Sequence, residues 1–339
     1  MHERTERITL DHGSGGRLTW KLLEEHVWPR FRNPILEEWD DAAALEVDAD
    51  RIAFSTDGYT VFPLFFPGGD IGKLAVTGTV NDVAMKGGVP LYMSVALILE
   101  EGLPMGTLDR VLDSVQKAAR EAGVTVAAGD TKVVQKGACD GIYITTTGVG
   151  RIPEGIHVSA RAARPGDRLL LSGSVGDHGV AILGAREELA FTRSMESDCA
   201  AVHEMTAALI ESFGSSVHTL RDPTRGGLAS ALNEIARASN VGLSVREERI
   251  PVKKQVASAC DLLGYDPLHL ACEGRFVACL DASCAQEALE RVREFPEGRG
   301  AELVGEVRRE DSGRVVLVTS IGGTRVLDMP VGEPVPRIC

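Results

Sequence analysis

The chain has 339 residues, enough for two domains with their own cores. With 44% hydrophobic and 25% charged residues it has the composition of an ordinary globular protein, and its net charge of −13 excludes nucleic acid as a main partner, because phosphate neutralisation needs clustered Lys and Arg. No apolar run approaches the ~18 residues of a membrane span, the charged start from Met1 to Arg7 is not a signal peptide, and the seven cysteines lack paired spacing, which predicts reduced cytoplasmic thiols rather than a disulfide frame or zinc site.

In chain order, the glycine loop Asp11, His12, Gly13, Ser14, Gly15, Gly16 leads into a helix over 18–26. Residues 44–47 and 51–55 read as a hairpin turning over 48–50. Asp70 caps a helix running to Lys86, with Ile71, Leu74, Ala75, Gly78 and Met85 on one face, and Gly87, Gly88 and Pro90 end it. Residues 91–99 form a buried strand. Residues 107–122 form an amphipathic helix with Leu108, Val111, Leu112, Val115 and Ala119 inward and Gly123 past its end. Strands follow at 124–127 and 142–149, which makes an α+β domain ending near Pro153.

A second α/β unit begins near Gly166. A strand over 168–172 enters the loop Gly173 to Gly179; helices cover 180–188, 200–213, 228–239 and 252–263; strands cover 243–246, 275–280, 301–307 and 315–319. The chain ends in Pro334, Val335, Pro336, Arg337, Ile338, Cys339. The prolines keep this tail extended, and from Pro330 it reaches roughly 28 Å at about 3.1 Å per residue, so it carries one thiol on a flexible arm.

Acidic groups recur at element ends: Asp40 and Asp41, Asp57, Asp82, and Asp130, with Asp57 and Asp130 each after a strand. Asp82 lies on a small-residue helix face, where a lone carboxylate is costly to bury. Hard oxygen ligands from separate elements suit Mg²⁺, which keeps room for water and substrate phosphate. The loops at His12, Gly176 and Arg221 precede helices, where backbone N–H groups favour an anion. None is a P-loop or a dinucleotide fingerprint. Together they point to Mg-nucleotide binding.

The segments around His12, Asp40, Ser55 to Gly58, Asn81 with Asp82, Lys86 to Gly88, Gly129 to Val134, Gly176 to Gly179, Arg221 to Gly227 and the terminal Pro-Arg-Ile-Cys resemble, over the full chain, the hydrogenase maturation family HypE. Several of these segments are shared with aminoimidazole ribonucleotide synthetase and selenophosphate synthetase; the Pro-Arg-Ile-Cys end is the distinguishing one, and the first cysteine, Cys139, comes too late for the selenophosphate enzyme.

The resemblance implies a two-domain fold of the aminoimidazole ribonucleotide synthetase type: an N-terminal ATP-binding domain over 1–155 that pairs across a homodimer, an α/β domain over 156–329, and a mobile tail over 330–339. It implies a carbamoyl dehydratase using ATP and Mg²⁺. The carbamoyltransferase HypF loads Cys339, ATP drives dehydration of the carbamoyl group to S-bound cyanide, and the HypC–HypD complex receives the cyanide on iron. Metal or Mg-phosphate contacts fall to Asp41, Asp57, Asp82 and Asp130. Nucleotide contacts fall to His12, Gly13, Ser14, Gly15, Gly16, Asn81, Gly129, Thr131, Asp177, Gly179, Arg225 and Gly226. Lys132 is assigned to the phosphate or thiocarbamate, and Glu273 to proton abstraction. For the thiol, Arg337 favours ionisation and the α-carboxylate opposes it. Two other readings predict different behaviour: an ATP enzyme acting on a free substrate needs no Cys339, and a carrier hydrolyses no ATP.

Overall fold

The structure, a computed structural model, describes residues 6–14, 16–38, 42–189, 195–332 and 335–339. Of the predicted ligands, Gly15 and Asp41 lie outside the described residues, as does the Asp40 beside Asp41.

The chain opens with α1 (Arg17–Leu22), a π-turn over Leu23–Val27 and α2 (Trp28–Phe31), one continuous helical stretch. Strand β1 (Ile52–Tyr59) follows, then the short pair β2 (Phe65–Phe66) and β3 (Gly69–Asp70). Helix α3 (Ile71–Met85) is capped as predicted: the Asp70 carboxylate accepts from the N–H groups of Gly72 and Lys73. Then come β4 (Val89–Glu100), α4 (Met105–Glu121), β5 (Thr125–Val134) and β6 (Ile142–Arg151). The sheet order is β1-β6-β4-β5. One face carries α3 and α4. The other is open, with Phe54 67% and Ile52 53% exposed.

The predicted hairpin is absent. Residues 44–47 form no strand, because none of them is buried and a strand with no apolar face to cover gains too little to form. Asp57 and Asp130 sit within β1 and β5 rather than after them.

The second unit comprises β7 (Arg168–Leu171), α5 (Asp177–Arg186), α6 (His203–Phe213), β8 (Val217–Arg221), α7 (Gly227–Ser239), β9 (Gly242–Arg246), α8 (Lys254–Leu263), β10 (Val277–Leu280), α9 (Ala285–Arg293), β11 (Glu302–Arg308), β12 (Val315–Val318) and β13 (Thr324–Val326). Its sheet runs β13-β12-β9-β11-β7-β10-β8 and is antiparallel except at β9/β12. Strands and helices alternate in sequence, yet the pairing is largely antiparallel. Sequence alternation fixes the elements and not their directions.

The cores meet at the functional region. Val180, Ile182 and Leu183 of α5 join the cluster containing Ile71 and Leu74 of α3, and Val335 and Ile338 of the tail are buried in the same cluster.

Candidate active site

The C-terminal tail is docked, not free. Thr60 N–H donates to a terminal oxygen of Cys339 at 3.0 Å, and Phe62 N–H donates to Arg337 O at 3.3 Å, so the tail continues alongside the exit of β1. Arg186 donates to the carbonyls of Pro336 (2.7 Å), Arg337 (3.0 Å) and Phe62 (2.9 Å). His178 Nε2 donates to Ile338 O at 2.7 Å. Burial pushes the His178 pKa down, so the ring is neutral, and its Nδ1 accepts from Ser197 Oγ at 2.8 Å. Arg337 turns away from the thiol to pair with Asp140 and to donate to Thr60 O at 3.1 Å.

The guanidinium beside the sulfur is that of Arg225. Its Nε donates to Cys339 Sγ at 3.4 Å, and its far nitrogen lies 3.5 Å from Asp57. Burial, followed by the charge of Glu273, pushes the Cys339 thiol up to about 12 against the opposition of Arg225. The docked sulfur is therefore a protonated thiol at neutral pH.

Two carboxyl groups act on the sulfur, Asp57 on β1 and Glu273 before β10, and two more, Asp82 on α3 and Asp222 after β8, act on Glu273 in turn. Asp82 accepts from Ser55 Oγ at 2.5 Å. Burial raises the Asp82 pKa, and the Asp57 charge adds to it. Burial and Asp82 push Asp222 up to about 7. Burial lifts Glu273 well above the usual carboxyl range, with Asp198, Asp222, Asp57 and Asp82 adding repulsion. Tyr59 packs beneath the cluster because Gly78 on α3 has no side chain; a Cβ there would lie 2.3 Å from the Tyr59 hydroxyl.

A second group of predicted ligands stands elsewhere. Gly129, Asp130, Thr131 and Lys132 lie on β5, the opposite edge strand from β1. Three strand spacings, about 14 Å, separate the two edges. Register places Asp130 beside Ala96, Thr145 and Gly58 on the open face, while Asp57 shares the helix-covered face with Tyr59. The turn over Leu10–Gly13 packs at the same far edge, with Gly13 against Val133. Between β5 and the helical stretch α1–α2 opens a cavity of about 340 Å³ lined by Trp28, Phe31, Leu97, Val126, Gly129 and Thr131 among others. It is apolar with a polar rim, the character of a nucleobase pocket.

Other predicted ligands are occupied differently. Asn81 staples the two units: its Nδ2 donates to Ala200 O (3.0 Å) and Glu273 O (3.3 Å), and its Oδ1 accepts from Val202 N–H (2.8 Å). His12 Nδ1 accepts from Thr9 N–H at 3.0 Å and closes a local turn. Ser14 Oγ donates to Asp11 O at 2.8 Å. Asp177 is buried, accepts from Ser174 Oγ and lies 3.1 Å from Lys253. Gly179 packs against Leu270. Gly226 precedes α7 with φ +75° and lies beside Pro330, and so belongs with Arg225 at the tail.

Of the four expected metal contacts, Asp57 and Asp82 stand near the sulfur, Asp130 stands at the far edge of the sheet, and Asp41 lies outside the described residues. Among the described residues no three His, Cys, Asp or Glu side chains converge closely enough to enclose a metal ion. The cluster does fit a cation brought in with phosphate. Asp57, Asp82 and Asp222 crowd together with raised pKa values on two of the three, and Glu273 Oε1 is buried without a hydrogen-bond partner. Mg²⁺ takes one or two carboxylates and completes its shell with phosphate and water. Asp222 and Tyr59 were missed in the sequence; Asp222 lies in the flagged loop before α7, but only folding brings it to Asp82.

Comparison with known proteins agrees with this architecture. Residues 39–152 match the family model "AIR synthase related protein, N-terminal domain", and residues 164–318 match its C-terminal counterpart. The chain is 48% identical over 336 residues to carbamoyl dehydratase HypE of Azotobacter vinelandii, covering 99% of this chain and 98% of that one. It superposes on a crystal structure of HypE in complex with ATP with TM-score 0.94 at 48% identity, covering 98% and 99% of the two chains. It also superposes on HypE from a HypE–HypF complex with TM-score 0.80 at 46% identity, covering 91% and 99%.

Proposed function

The chain belongs to the HypE family of carbamoyl dehydratases within the AIR synthase superfamily, and from that membership we propose that it dehydrates a carbamoyl group carried on its own Cys339, using Mg-ATP. The observation that carries this reading is the docked sulfur, held by Arg225 beside Asp57 and Glu273.

The reaction needs a leaving group. An amide oxygen leaves poorly, so it takes the γ-phosphoryl group of ATP and ADP departs. The nitrogen then gives up its two protons, the C–O bond breaks with its electrons going to phosphate, and a C≡N triple bond remains on sulfur. One proton leaves on hydrogen phosphate and one is released to solvent. Arg225 and Thr60 hold the sulfur and chain end in place, a positioning contribution. Glu273 takes protons from nitrogen, and its raised pKa makes it a strong base once ionised. Asp57, Asp82 and Asp222 are the carboxylates available to Mg²⁺, which supplies charge neutralisation of the phosphoryl oxygens.

The apolar cavity beside Gly129 and Thr131 is the site we assign to the nucleobase. Asp130 and Lys132 stand across the sheet from the sulfur. A homodimer packed through the open face around Phe54 would bring the partner subunit's Lys132 toward Cys339. We place the ATP-binding domain at 1–155, the second domain at 156–329 and the moving arm at 330–339. HypF would load the thiol with the arm released, and the HypC–HypD complex would receive cyanide from it. All seven cysteines are free thiols, consistent with work in the cytoplasm.

Intact mass with fragmentation of the C-terminal peptide tests this. After HypF, carbamoyl phosphate and Mg-ATP, carbamoyl addition at Cys339 followed by loss of one water is expected. Loading without water loss, with Asp82→Asn indistinguishable from wild type, would favour a carrier.

A further inference from the structure

One residue of the terminal Pro-Arg-Ile-Cys has no task in the chemistry. Arg337 faces away from the sulfur, and its backbone is strained. It forms a turn with Pro336, and its φ of +54° lies in the left-handed region. A turn with proline before a left-handed residue calls for glycine in that second place. An arginine there costs energy that a glycine would not. The docked arm keeps this turn only if the side chain compensates.

The compensation is visible. The guanidinium of Arg337 lies in a seat built from the first domain. It pairs with Asp140, its Nε donates to Thr60 O at 3.1 Å, and its carbon stands 5.4 Å from the ring centre of Phe62 and 5.8 Å from that of Tyr143. The Tyr143 hydroxyl donates to the same Asp140 oxygen at 3.4 Å, which steadies the carboxylate. Phe62 contributes twice, since its N–H also donates to Arg337 O at 3.3 Å. The Arg337 and Asp140 side chains are 35% and 52% exposed, so their ion pair alone contributes little. What selects is the convergence of a carboxylate, a carbonyl and two rings on one planar fork. A lysine ammonium is a point charge that cannot fill such a seat.

Deepening the dehydratase reading above, and resting on it for its purpose, we propose that Arg337 is the recognition residue of the arm: the seat of Asp140, Phe62 and Tyr143 accepts a chain end only when a guanidinium stands two residues before the terminal cysteine. Arg337 touches no reacting atom and is a positioning residue. The turn it holds sends Ile338 into its buried socket and presents Cys339 to Arg225. The site thus chooses its thiol by the arginine that precedes it and not by the reactivity of the sulfur.

The test is iodoacetamide labelling of Cys339 in the full chain, each variant referred to the same chain end as a free hexapeptide. This reads the released fraction of the arm without turnover. Arg337→Asn tolerates the left-handed turn but cannot reach the seat. It is expected to label at least about tenfold faster than wild type. Arg337→Lys keeps the charge and is expected to behave more like Arg337→Asn than like wild type. Asp140→Asn is expected to label about threefold faster in the wild-type chain and to change nothing in Arg337→Asn. A general loss of structure would not show that coupling. Preloaded at Cys339, Arg337→Asn is expected to dehydrate at the wild-type rate scaled by its docked fraction. Arg337→Asn protected as well as wild type overturns the proposal, since relief of strain would then be all that the change does. A lysine that protects as arginine does, an Asp140→Asn effect of equal size in both backgrounds, or a loss of rate beyond the docked fraction overturns it too. Wild-type protein that never loses water removes the dehydratase reading and leaves the labelling, and with it the seat, standing.

Discussion

Arg225 binds Cys339: its Nε donates to the sulfur at 3.4 Å while the same guanidinium reaches Asp57 at 3.5 Å. One side chain from the second domain thereby joins the reacting atom, the first domain and the carboxylate cluster. The sulfur it holds is thiol, not thiolate, and this separates the docked arm from the nucleophilic one.

Replacing Arg225 by Met is expected to slow dehydration about 100-fold, equivalent to roughly 2.7 kcal/mol of barrier, while loading by HypF continues. Single-turnover mass spectrometry of the preloaded protein reads both. An undiminished rate would remove Arg225 from the positioning of the thiocarbamate.

The thiol has a testable pH signature. Its docked pKa, up to about 12, exceeds the ordinary value of about 8.5 for a free cysteine. Ionisation therefore favours the released arm. Docking is fully present below about pH 8.5 and weakens tenfold per pH unit from there toward the docked value. Iodoacetamide labelling of Cys339 should be slow at pH 7 and rise with the fraction of released thiolate. Labelling as fast as that of a model thiol at pH 7 would show that the tail is not docked.

Arg186→Ala removes donors to three carbonyls, two of them on the tail. Hydrogen bonds from charged groups contribute about 1.5–3 kcal/mol each. The variant is expected to label at Cys339 at least tenfold faster, to load at least as well as wild type and to dehydrate more slowly. Equal labelling of variant and wild type would mean that His178 and Thr60 hold the arm without it.

Burial, with repulsion from Asp82 added, pushes the Asp222 carboxyl up to about 7. Its folded pKa lies above the unfolded carboxyl value of about 3.9, so its stabilising contribution is present at low pH and is lost as pH rises toward 7. Asp222→Asn should raise the melting temperature of the nucleotide-free protein at pH 8 by a few degrees, on the order of 1 kcal/mol after allowance for solvent. It should also reduce the additional stabilisation by Mg-ATP. A destabilised Asp222→Asn at pH 8 would place this carboxyl in a structural role.

Much of this architecture was legible in the chain. The cap at Asp70 and the inward face Leu108, Val111, Leu112, Val115 and Ala119 are as local periodicity requires, since each depends on neighbours within a turn or two. The terminal thiol and its acidic surroundings were legible as residue types. Their assembly was not. That Arg225 rather than Arg337 meets the sulfur, that Asp222 joins Asp82, and that Asp130 stands three strands from Asp57 all follow from sheet order and domain packing. Neither leaves a mark on local spacing. The unformed hairpin at 44–47 failed for a related reason, because alternation predicts a strand only where a surface exists to receive it.

The seat of the tail also sets how long it stays. Burying Val335 and Ile338 is worth about 1.5–3 kcal/mol each, and ordering the five residues from Val335 to Cys339 opposes this by about 1–2 kcal/mol per residue. The hydrogen bonds of Arg186, His178 and Thr60 tip these opposing terms toward the docked arm by roughly 2–3 kcal/mol. Departure is then within reach of thermal motion alone, and a visiting protein need only capture an arm already in transit. Each departure also bares the N–H groups of Thr60 and Phe62 and two empty apolar sockets, a gap that calls the same five residues home.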